Sequence, residues 1–182
     1  MREELLSMMR GAAERTADLV TSIPEEELGR PTPCSEFDVR ALVNHMEWAV
    51  SLFESVAGGG GFPPQKEYTG DFPERAERML IAWDKPESWE GVSEAMGGLP
   101  RTVIAHMALT DLVAHGWDLS RATGRGYEVE EATAARLLAF ARDMAPIGRA
   151  RGTFGEEVAV PEDAPTLERF LGLIGRDPAW RP

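Results

Sequence analysis

Asp111 and His115 stand four residues apart in the segment PRTVIAHMALTDLVAHGWDLSRATG, residues 100–124. On a helix stepping ~100° per residue, Ile104, Ala108, Asp111, Leu112, His115, Leu119 and Ala122 share one face. A carboxylate and an imidazole thus fall inside a stripe whose other members are apolar. A buried carboxylate must be offset by hydrogen bonds, by protonation or by a metal ion. A third candidate, His45, lies on the flank of the apolar stripe of an earlier helix. Two imidazoles and one carboxylate from two helices would make a three-ligand site with an open position, the pattern of a catalytic zinc site. The same ligand types suit non-haem iron(II). The plainer alternative is a hydrogen-bonded Asp–His pair beside a half-buried His45.

The elements that must position these residues can be read from hydrophobic period and punctuation. A first helix is expected from about Arg2 to Ser22, with Leu5, Met9, Ala12, Ala13, Thr16, Leu19, Val20 and Ile23 inward, ended by Pro24. The turn-rich stretch PEEELGRPTPCSEFD follows. Asp38 is a good N-cap for a second helix whose stripe is Val39, Leu42, Met46, Ala49, Val50, Phe53 and Val56. The run GGGGFPP, residues 58–64, reads as a flexible connection. A short helix near Pro73–Trp83 comes next, then an irregular stretch through Gly98. Pro100 opens the helix of Asp111 and His115, and Gly124 closes it. A further helix over about Glu130–Met144 buries Ala134, Leu137, Leu138 and Ala141, and Gly148 and Gly152 break the pattern after it. The tail holds an extended EEVAV piece and a last helix in PTLERFLGLIG. Strand signal is nearly absent. The expectation is an all-α fold, an antiparallel four-helix bundle with short additional helices and an irregular tail, forming one domain over residues 1–182.

Other residues invite weighing beside these. His106, nine positions before His115, falls ~180° away on the helix and should face away from the site. Asp118, one turn after His115 and ~60° off its direction, reads as a polar flank more readily than as a partner of the imidazole. Cys34 precedes a helix, where a thiol pKa can fall. With no local motif announcing a His base, it reads as a small packed residue in a turn. Gly58–Gly61 lacks the Lys-Ser/Thr of a phosphate loop, so nucleotide binding there is rejected.

The net charge of −12 argues against nucleic acid and against anionic membrane surfaces, both of which recruit basic patches. No apolar run approaches the ~20 residues a membrane helix needs. The charged N-terminus is no signal peptide, and a single cysteine fits a reducing cytoplasm. A cytoplasmic protein is therefore expected, and a homodimer is allowed.

The motif PTPCSEFDVRALVNHM, residues 31–46, followed by DLVAHGWDLSRATG, residues 111–124, resembles the DinB-like superfamily of metal-binding helical bundles. The branch it resembles is that around the N-terminal domain of mycothiol-dependent maleylpyruvate isomerase, and the tail from Phe154 to Trp180 is similar to that branch as well. The resemblance implies a four-helix bundle holding a divalent metal on His45, Asp111 and His115. Zinc is the ion expected first, with nickel or iron as alternatives. Where the isomerase has Glu, this chain has the shorter Asp111, which asks for a closer helix or a bridging water. The isomerase also has a C-terminal domain that helps build its active site, which this chain is expected to lack. The resemblance therefore implies chemistry of a low-molecular-weight thiol, mycothiol, with a small electrophile, as a transferase or isomerase, rather than maleylpyruvate isomerisation itself. A metal-dependent hydrolase and a non-catalytic metal or small-ligand binding protein use the same ligands and stand as the alternatives.

Overall fold

The structure, a computed structural model, describes residues 1–65, 67 and 69–182. It is mostly helical, with six α-helices and one two-stranded sheet among the described residues. The helices are α1 (Arg2–Thr21), α2 (Val39–Ala57), α3 (Phe72–Asp84), α4 (Arg101–Thr123), α5 (Glu131–Ala150) and α6 (Thr166–Leu173). The sheet pairs β1 (Val92–Ser93) with β2 (Leu99–Pro100), antiparallel, inside the stretch expected to be irregular. None of the helices is long and apolar enough to cross a membrane. The chain forms two compact units, Met1–Tyr127 and Glu128–Pro182.

In the first unit, α1 packs against α3 and α4, and α2 packs against the same two helices. The stripes expected on α1 and α2 are buried from Leu5 to Val20 and from Val39 to Val56, whereas Ile23 lies beyond the end of α1 and is only part-buried. The helix expected to be a minor one, α3, contributes Phe72, Met79 and Trp83, all fully buried. Helix α2 begins where the sequence said it would, with Asp38 Oδ1 accepting from the Ala41 amide at 2.8 Å. Its C-terminal carbonyls are met by Arg101, whose Nη1 donates to Val56 and Ala57 at 2.9 Å each. Helix α4 is buried on nearly every side, including Thr110, His115, Asp118, Ser120 and Thr123. It ends at Gly124 in the left-handed conformation, φ +71°, which glycine adopts without steric cost.

In the second unit, α5 packs against α6. Gly148 does not break α5, which continues to Ala150 through Pro146. The glycine is required for another reason: a Cβ there would meet the Phe154 ring at 2.4 Å. The EEVAV piece runs beside α6, with the Val158 amide donating to Gly172 O at 2.9 Å.

Candidate metal centre

Helix α2 supplies His45 and helix α4 supplies Asp111 and His115. The structure brings the three together: one ligand atom from each lies within 4.8 Å of the other two. Asp111 Oδ1 is 3.6 Å from His45 Nε2 and 3.6 Å from His115 Nε2. Both distances exceed the ~2.7–2.9 Å of a charge-assisted hydrogen bond. They are close to the ~3.3–3.4 Å edge of a tetrahedron whose ligands sit at ~2.0–2.1 Å from zinc. The spacing of this donor set is compatible with one divalent ion held by the three residues. The short Asp111 side chain reaches both imidazoles without a longer acid. The His45 and His115 rings meet edge to face, centroids 4.9 Å apart. Exposure falls from 26% at the His45 side chain to 19% at Asp111 and 11% at His115, so the open side lies toward His45.

Aromatic rings wall that open side. Phe37 stacks on His45 at 5.3 Å, and the Trp48 ring lies 6.0 Å from that of His45. Phe37 reaches this place through a pinned loop. Thr32 Oγ1 donates to Cys34 O at 3.0 Å and to Phe37 O at 2.8 Å, and the Phe37 amide donates to Cys34 O.

Asp118 corrects the sequence reading. It is fully buried rather than a polar flank, and its Oδ2 is 3.0 Å from His115 Nδ1. Because α4 is buried nearly all round, ~60° of rotation does not carry a side chain to solvent. With Nδ1–H donated to Asp118, the lone pair of Nε2 is left toward Asp111 and His45. This is the usual way a carboxylate fixes the tautomer of a ligating imidazole.

Cys34 lies in a turn as expected, but not without a histidine nearby. The thiol is half-buried, and its Sγ, a nitrogen of His115 and an oxygen of Asp118 lie within 4.8 Å of one another. The His absent from its local sequence arrives from α4. No nearby spacing could have signalled it, since the 31–38 loop alone brings the two segments together. His106 behaves as read: its Nδ1 sits 2.8 Å from Thr102 O of its own helix, away from the cluster.

Comparison with known proteins bears on the family. Residues 9–75 match the mycothiol maleylpyruvate isomerase N-terminal domain family. An uncharacterized protein of Mycobacterium tuberculosis strain CDC 1551 is 27% identical over 176 residues, covering 91% of this chain and 93% of its own length. An uncharacterized protein from strain H37Rv matches with the same figures. No solved structure matches the chain. The resemblance read from the 31–46 motif is therefore to the mycothiol maleylpyruvate isomerase N-terminal domain, and the matched segment carries α2 with His45.

Proposed function

We propose that the chain is a DinB-like four-helix metal protein that joins mycothiol to a small electrophile, with His45, Asp111 and His115 as the metal ligands. The observation that carries this reading is the pair of 3.6 Å approaches of Asp111 Oδ1 to the two Nε2 atoms. A divalent ion held there would supply a Lewis acid that lowers the pKa of a thiol in its open position. The chain's own residues do the rest. His45 and His115 offer neutral nitrogens, and Asp111 offers the charge. Asp118 holds the His115 ring in one tautomer and orientation. Phe37 and Trp48 flank His45 on the more exposed side and keep the approach partly dry. The family match over residues 9–75 supports a thiol over water as the occupant. The packing of α1 and α2 each against α3 and α4 is what an antiparallel four-helix bundle requires.

The test is a conjugation assay with mycothiol and a panel of electrophiles, metal-loaded against chelated. Metal-dependent consumption of the thiol is expected. Metal-dependent ester or amide hydrolysis without thiol consumption would point instead to a bound water as nucleophile.

A further inference from the structure

Two residues after His45, helix α2 carries a second buried acid. Glu47 is turned ~200° from His45 and meets α3 rather than α4. Its side chain is only 6% exposed, and its Oε2 lies 3.8 Å from Arg75 Nε and accepts from Thr69 Oγ1 at 3.1 Å. Its other oxygen, Oε1, is buried and has no hydrogen-bond partner among the described residues. Arg75 Nη1 donates to Ser51 Oγ at 3.1 Å and Nη2 to Asp71 Oδ2 at 2.8 Å. Glu47, Ser51 and Arg75 line, with Trp48, Pro63 and Pro64, a cavity of about 140 Å³.

The chemistry of this recess is specific. A buried carboxylate oxygen left unmet is costly, so a donor is called for. Arg75 is already engaged, Nη1 with Ser51 and Nη2 with Asp71, so Glu47 Oε1 is the acceptor left to a ligand in this lining. The remaining wall is an indole and two prolines, and an aromatic face favours a cation. We infer that the cavity is a binding subsite for a primary ammonium on a short apolar stem. Glu47 Oε1 accepts from the ammonium, and the Trp48 ring covers the stem. The Trp48 ring is also 6.0 Å from that of His45, so the subsite and the candidate metal centre share one side chain. The inference does not depend on a metal being bound.

The experiment uses the Trp48 indole Nε1–H, which donates to Pro63 O at 3.0 Å, as an NMR reporter assigned with Trp48→Phe. Wild-type protein is titrated with n-propylammonium and, separately, with n-propanol, both as purified and after chelation. A saturable indole shift with the amine is expected, at least tenfold weaker with the alcohol and unchanged by chelation. Glu47→Gln should weaken the amine at least tenfold. The wild-type comparison of amine with alcohol stands even if that variant does not fold. No saturable shift, equal shifts from amine and alcohol, or a shift lost on chelation would overturn the subsite. The last outcome would place the amine on the metal instead.

Discussion

Helix α2 serves two buried polar clusters from opposite sides. Toward α4, His45 meets Asp111 and His115; toward α3, Glu47 meets Arg75, which also holds Asp71. In the second cluster a guanidinium is built in: Nη2 donates to Asp71 at 2.8 Å, and Nε stands 3.8 Å from Glu47. In the first, the carboxylate stands 3.6 Å from two imidazole nitrogens, at the spacing of separate ligands around one ion. A covalently attached cation makes an ion pair that supports the fold. In the proposed metal centre, two imidazoles and one acid would leave the cation to be supplied from outside.

The largest effect that could break this contrast is on stability. Arg75→Met should destabilise the protein by roughly 2–4 kcal/mol, because it leaves Glu47 buried without its cation. The same chemical-denaturation measurement on chelated Asp111→Asn should show a change of under ~1 kcal/mol. Equal losses in the two variants would erase the distinction between an acid whose partner the fold depends on and one that the fold can lose.

Next comes the support of His115. Asp118→Ala should weaken metal binding about 10–100-fold in a competition titration with a chromophoric chelator. Asp118→Asn, whose amide oxygen can still accept the Nδ1–H, should recover part of it. An affinity unchanged in Asp118→Ala would mean that the Nδ1 bond does not orient the ligand.

A smaller effect concerns acid. Burial alone would raise the Asp71 carboxyl, but the hydrogen bond and charge of Arg75, with help from Arg78, hold it below the usual carboxylate value of 3.8. A depressed folded pKa gives stability that is present above 3.8 and is lost as pH falls through the lower folded value. Acid unfolding of wild type should show this loss below that pH, and Arg75→Met should lack it. An identical acid limb in both proteins would remove Arg75 as the cause.

The smallest expected effect is at Cys34. Cys34→Ser should keep metal stoichiometry within error, since the thiol lies by His115 and Asp118 rather than in the His45–Asp111–His115 set. Loss of the metal in this variant would assign the ion to Cys34, His115 and Asp118.

The two clusters were unequally legible in the sequence. His45, Asp111 and His115 stood out because helical period and cap signals place them, and both are local properties. Asp38 and Gly124 fixed the ends of their helices, which the structure repeats. Asp118 was misread because the flank of a helix is polar only where it meets solvent, and α4 scarcely does. Cys34 and His115 meet through a loop held by Thr32, a contact that no spacing encodes. Glu47 and Arg75 drew no notice, since an isolated acid on one helix and an arginine on another usually read as solvated. Their pairing depends on α3 packing against α2, a helix that the sequence marked only as short. On α5, Gly148 was read as a breaker because the Phe154 ring that needs its bare Cα folds back from beyond the helix end.

The central claim is that the acid on α4, and not the acid facing α3, belongs to a metal site. Elemental analysis of wild type, His115→Ala and Glu47→Gln, purified side by side, tests it most directly. One equivalent of divalent metal is expected in wild type and in Glu47→Gln, and a small fraction of that in His115→Ala. Equal metal in all three, or none in wild type after growth with zinc, nickel and iron, would contradict it.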